Sequence, residues 1–187
     1  PLMCNFVTSK DRGNFRFYLL TRPFFFMEYQ DELNYSKEEL LEVDKMFNRL
    51  KRRRPKYLDN VFHEAHDNAF EKIDCLSCGN CCKTTSPIFR DIDIQRIAKK
   101  FKEPAANIEK KYLKKDEDGD WVLKGSPCTF LGEDNSCFIY DVRPQACREY
   151  PHTNRKKMHQ VLDLTRINIE ICPAVSNVVR QVTKEYT

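Results

Sequence analysis

Glycine is scarce in this chain, with five residues in 187. No glycine-rich loop follows a strand-like segment, so no methyl-donor site is written in the sequence. Long apolar runs are also missing. The longest near the start, Tyr18 to Met27, is broken by Thr21, Arg22 and Pro23, and it is too short to span a bilayer. No small-residue cleavage site follows it, which makes it a poor signal peptide. These absences predict a cytoplasmic protein with no membrane partner. Nor does charge of one sign dominate: the net charge is +4. Short Lys/Arg runs (51–54, 99–100, 114–115, 155–157) alternate with acids and read as solvated surface rather than a nucleic-acid site. No feature specifies a protein partner.

Cysteine is what the chain has in quantity. Cys75, Cys78, Cys81 and Cys82 fall within eight residues, and Cys128, Cys137, Cys147 and Cys172 are spread over the half that follows. In a reducing compartment, clustered cysteines bind metal or do redox chemistry more often than they form disulfides. The odd total of nine also argues against a closed disulfide framework. A Cys-x2-Cys turn lets two thiolates reach one metal from a tight loop, and Gly79 helps the backbone turn back. Cys75, Cys78 and Cys81 continue that spacing as in bacterial ferredoxins, where a Cys-Pro pair completes the set. Here Cys172-Pro173 is such a pair, far downstream. Cys82 is expected to face away from Cys81, toward the distal cysteines.

Zinc competes with iron. Eight thiols suffice for two closed four-thiolate sites, although the second half lacks the paired Cys-x2-Cys of zinc ribbons. The spacing leaves iron and zinc open, and it disfavours eight plain core thiols. His63 and His66 share a helix face and are possible ligands. A polar face beside Glu64 and Asp67 is the preferred reading.

The rest of the chain predicts a helix-rich α+β domain with short strands around a cysteine-ligated metal centre. Residues 1–35 read as an N-terminal arm or as a segment outside the fold. Phe15 to Tyr29 is aromatic without a period, and Met3 and Met27 are candidate starts. Cys4 lies there and is left out of the ligand set. The domain is expected over residues 36–187. Ser36 and Glu39 form a capping box for a helix to Arg53, striped by Leu40, Leu41, Met46, Phe47 and Leu50. Further helices are expected over 59–73, over 92–101 with Asp91 as cap and Phe101 inward, and over 105–113. A hairpin follows, turning through Asp116–Asp120, which reads as a plain turn rather than a calcium loop. A second strand is expected at 128–131, and a short helix around Cys147 with Pro144 in its first turn. Met158 to Ile171 is read either as a strand pair or as a helix. Pro173 opens the last helix, striped by Val175, Val178, Val179, Val182 and Tyr186.

Taken together, the motifs Cys75-x2-Cys78-x2-Cys81-Cys82, Pro127-Cys128-x-Phe130-Leu131, Cys137-x-Ile139-Tyr140, Arg143-Pro144-x2-Cys147-Arg148-x-Tyr150-Pro151 and Cys172-Pro173 resemble the CxxCxxCC family. These zinc- or iron-chelating domains are also called YkgJ-like cysteine-cluster proteins. The resemblance covers about 70 to 180. It implies Cys75, Cys78, Cys81, Cys82, Cys128, Cys137, Cys147 and Cys172 as metal ligands, for iron as an iron–sulfur cluster or for zinc. Flagellin lysine-N-methylases look like distant carriers of the pattern, with a cluster implied. Arg143 and Arg148, with Tyr150, are candidates to neutralise a negatively charged thiolate centre or to bind an anionic substrate. The catalytic residues stay unassigned. The functions in view are a chelating, storage or structural metal protein, an iron–sulfur redox or group-transfer enzyme, and a zinc-stabilised interaction module.

Overall fold

The computed structural model describes Tyr29 and residues 31–187. Cys4 and the aromatic stretch before Tyr29 lie outside the described residues. Of the expected arm, residues 31–35 pack on the body. Tyr35 donates its hydroxyl to the Ser176 carbonyl at 3.0 Å, and the Arg180 guanidinium lies 4.1 Å from the Tyr35 ring centre.

The capping box forms at Ser36: the Glu39 amide donates to Ser36 Oγ, and the Ser36 amide donates to Glu39 Oε2 at 2.7 Å. It starts helix α1, Lys37–Arg53, which stops at Arg54 in the left-handed region, just before Pro55. The buried stripe is Val43, Met46, Phe47 and Leu50. Leu41, expected in that stripe, is 57% exposed. It sits two positions from Val43, about 200° around the helix and so on the opposite face. Helix α2, Leu58–Phe70, buries Leu58, Phe62, Ala65 and Ala69. It ends three residues short of the expected 73, although Ile73 stays buried.

Two short helices follow, α3 (Cys75–Cys78) and α4 (Asn80–Thr84). Helices α5 (Asp91–Phe101) and α6 (Ala105–Tyr112) then lead into the hairpin of β1 (Leu113–Lys115) and β2 (Trp121–Leu123). The strands are antiparallel, with Leu113 opposite Leu123. Asp116 closes the turn by accepting the amides of Asp118 and Asp120. Arg90, rather than Asp91, occupies the cap position of α5; Asp93, three residues on, takes the Arg90 amide at 3.2 Å. Phe101 is 36% exposed rather than turned inward, with its ring 6.2 Å from that of Phe130.

The expected strand at 128–131 is replaced by turns. The Leu131 amide returns to the Cys128 carbonyl and the Gly132 amide to that of Ser136, which leaves one isolated bridge, Leu131 to Cys137. Helix α7 covers Gln145–Glu149, with Pro144 just before it at the cap. Met158 to Ile171 resolves as a 3-10 turn at Met158–Gln160 and helix α8, Leu162–Asn168. The apparent alternation came from exposed positions: Leu164 and Ile167 face solvent, while Leu162, Thr165 and Ile169 are buried at helical spacing. Helix α9, Pro173–Tyr186, buries Val175, Val178, Val179 and Val182 as expected.

These elements build two apolar cores. The first joins α1, α2, α8 and α9 around Phe62 and Met46, and Cys172 packs against it. The second joins α5, α6 and the hairpin with Phe89, Phe130 and Ile139, and Cys128 and Cys137 pack against it. No helix among the described residues is long and apolar enough to cross a membrane.

Candidate metal centre

The four clustered cysteines lie on α3 and α4. Asp74 starts α3 by accepting the Leu76 and Ser77 amides. Gly79 joins the two helices at φ 57°. A Cβ there would stand 3.0 Å from the Asn135 side chain, so conformation and space both ask for glycine. Three hydrogen bonds fasten this turn to the distal cysteine segments. Asn135 donates to the Ser77 carbonyl at 3.0 Å, near Cys137. Asn80 donates to the Ile171 carbonyl at 2.7 Å, next to Cys172. The Cys128 amide donates to the Cys82 carbonyl at 2.8 Å. Asn80 and Asn135 were not among the sequence candidates. Asn80 is legible only as the spacer inside the cysteine run, and Asn135 carries no local signal.

All eight predicted ligands are free thiols; Cys75 is exposed and the others are half-buried. Their electrostatic neighbours sort into two sets. Cys75 is raised by burial and then by Cys78, and Cys172 is raised to about 11 by burial and then by Cys75 and Cys78. Cys81 is raised by its hydrogen bond to Cys82, by burial, and further by Cys172 and Cys75. Cys128 is raised to about 11 by burial, with Cys82 and Cys137 beside it. Cys147 is pushed up to about 12 by burial and by Cys82, Cys128 and Cys137. The sets that emerge are Cys75, Cys78, Cys81 and Cys172 against Cys82, Cys128, Cys137 and Cys147, with Cys82 also acting on Cys75 and Cys78 across the divide. They meet at the hydrogen-bonded neighbours Cys81 and Cys82. The second of these is drawn down, first by that bond and then, against its burial, by Lys83 and Arg143. Among the described residues, no three or more Cys, His, Asp or Glu side chains converge closely enough to hold a single ion as they stand.

Arg143 recurs among the principal charges acting on Cys75, Cys82, Cys137 and Cys147. Its guanidinium carbon lies 3.7 Å from the Tyr140 ring centre, and its Nε and Nη1 are buried without a hydrogen-bond partner. The Arg143 backbone is fixed by Arg96, which donates to its carbonyl at 2.8 Å and also to buried Asp93 at 2.7 Å. Lys83, missed in the sequence reading although it follows Cys82 directly, donates to the Cys78 carbonyl, opposes the burial that raises Cys78, and helps to draw down Cys82. The Tyr150 hydroxyl is buried, with Cys172, Cys81 and Cys78 as neighbours. Arg148 does not recur among these charges; it is exposed and lines a separate cleft. His63 and His66 are engaged elsewhere. His63 Nε2 meets the Arg155 carbonyl at 3.0 Å, and His66 Nδ1 meets Thr153 Oγ1 at 2.7 Å.

Residues 74–166 match the model of the CxxCxxCC family, described as "Putative zinc- or iron-chelating domain". The matched segment, just under half of the chain, opens at the cap of α3 and closes within α8. Metal binding is the role that this description supports. No curated protein and no solved structure matches the chain.

Proposed function

We propose that the eight cysteines form a polythiolate metal centre in two four-thiol sets, with iron as an iron–sulfur cluster the first reading and zinc the second. The observation that carries it is Arg143. A guanidinium with two buried, unpaired nitrogens is costly beside neutral thiols and well placed beside thiolates. Burial raises most of these thiols, so a metal or cluster is what would hold them deprotonated. Lys83 and the start of α9, where the Ala174 and Val175 amides point at the Cys172 sulfur, favour the same charge state. Thiols that are neighbours without converging on one point suit a cluster, whose thiolates bind separate irons, better than a single zinc ion. Within this reading the domain is a chelating or structural metal protein. One observation favours the redox or group-transfer alternative: a cleft of roughly 570 Å³ reaches Tyr150, which also borders the first thiol set.

The test is iron, zinc and acid-labile sulfide analysis of protein purified without oxygen, with a visible spectrum, on the wild type and on Cys147→Ser and Cys172→Ser. Iron with matching sulfide is expected, and each variant should lose the metal of one set. Zinc in a colourless protein would select the second reading. Wild-type protein that binds neither metal, or variants that keep the full content, would overturn the proposal.

A further inference from the structure

The cleft that reaches Tyr150 is built from parts that the thiol centre does not use. One wall is the C-terminal half of α2, with the His66 and Phe70 rings 4.5 Å apart. The other runs from Arg148 at the end of α7 through the loop to Lys156, with Tyr150 and His152 presented edge to face at 6.4 Å. The loop is fixed to the wall rather than laid over it. Pro151 and Thr153 are buried, Thr153 is held by His66, and the Arg155 carbonyl meets His63. His152 adopts φ 66° while its amide returns to the Glu149 carbonyl at 2.8 Å. Non-glycine residues adopt that conformation uncommonly, though histidine does so more readily than most.

The charge inside is mostly positive. Arg148, Arg155 and Lys156 line the cleft, and among the described residues none of the three makes an ion pair with an acidic side chain. The acid among the lining residues is Glu149, and its carboxylate is already engaged by the Gln145 amide. Solvated cations on a convex surface need no explanation. Three in a concave site, beside ring faces and a fixed loop, match an anion attached to a planar group.

We propose that this cleft binds a small phosphorylated ligand carrying a planar ring, with the mononucleotides as its chemical class. Arg148, Arg155 and Lys156 take the phosphate, and the His66–Phe70 pair takes the ring. The site borders the first thiol set through Tyr150 but stands whether the thiols hold iron or zinc. The test is calorimetric titration of the metal-loaded full chain at about 50 mM salt with AMP and UMP, and with adenosine, uridine and inorganic phosphate as fragments. At least one mononucleotide should bind roughly tenfold or more tighter than either of its fragments. Arg148→Gln and Arg155→Gln should each weaken that binding by about tenfold, with metal content and Tm unchanged, and Arg52→Gln on α1 should leave it alone. No binding of either nucleotide, or binding that both cleft variants leave intact, would overturn the proposal. So would much tighter binding of a single-stranded oligonucleotide with a steep salt dependence, which would make the cleft part of a polymer track. Metal content is read in the same samples, so failure of the cleft and failure of the metal centre are separate results.

Discussion

Among the described residues, the first apolar core draws fifteen buried side chains from four helices and the 3-10 turn at Met158. The second draws nine, and two of them, Phe130 and Ile139, sit among turns between residues 124 and 144, where the regular structure is a 3-10 turn at Tyr140–Val142. The cysteines follow the same division, with Cys172 against the first core and Cys128 and Cys137 against the second. Packing of helical stripes suffices to hold the first region. The second closes over turns whose cross-links run through the cysteine segments, so its order should depend on what the thiols bind. On the proposed function, the molecule pairs a self-supporting helical half with a half that is conditional on metal.

The largest effect should come from removing the metal. Structural thiolate sites for zinc contribute on the order of 10 kcal/mol in apparent binding energy, more than any single core side chain. Chelation under anaerobic conditions should therefore lower Tm steeply. Hydrogen exchange should then show protection collapsing over residues 124–150 and persisting in α1, α2 and α9. Uniform loss of protection would break the comparison, because it would mean that the helical half leans on the centre as well.

A smaller effect should follow from Phe62→Ala in the first core. Phe62 is fully buried, and truncating a buried Phe costs about 3–5 kcal/mol in transfer and cavity terms. Denaturant titration should show that loss while metal per folded molecule stays constant. Ile139→Ala, in the second core beside Cys137, should lower both stability and metal retention. If Phe62→Ala also strips metal, the two halves are one cooperative unit and the distinction fails.

How far the sequence reaches also differs between the halves. The capping box at Ser36, the spacing of Leu58, Phe62, Ala65 and Ala69, and Pro173 with its valines locate the first core, because a buried helical face leaves a period. The exceptions have the same cause: Leu41 and the 164–171 stretch misled because isolated exposed apolar residues mimic a stripe. In the second half the hairpin was legible from its acidic turn. The segment 124–144 was not, since turns closed by backbone and asparagine hydrogen bonds have no period to read. At the candidate centre, the cysteines and Arg143 stand out by residue type and spacing. The pairings of Asn80 with Ile171 and of Asn135 with Ser77 join residues 91 and 58 positions apart. Lys83 needed only its place beside Cys82.

The smallest effect concerns Asp59, where the chain returns from the conditional half to the helical one. Its carboxylate accepts the Lys157 and Met158 amides at 2.7 and 2.9 Å, which ties the first turn of α2 to the 3-10 turn. Burial alone would raise this acid, but the two amides outweigh it and hold Asp59 below its ordinary value. A depressed folded pKa means that the ionised form is stabilised by folding. Its contribution is therefore complete above the unfolded pKa of about 3.9 and lost as pH falls through the folded value. Two amide bonds to a half-exposed carboxylate are worth about 1–2 kcal/mol. Asp59→Asn should lower stability by that amount at neutral pH, and its gap from wild type should close in acid. Thiol protonation releases metal over part of the same range, but it acts on both proteins and cancels in the difference. Urea midpoints of the pair from about pH 7 to pH 3 measure this directly. A gap that stays constant across the range would show that the carboxylate acts there by shape alone. A gap absent at pH 7 would show that the return strap adds nothing to the helical half.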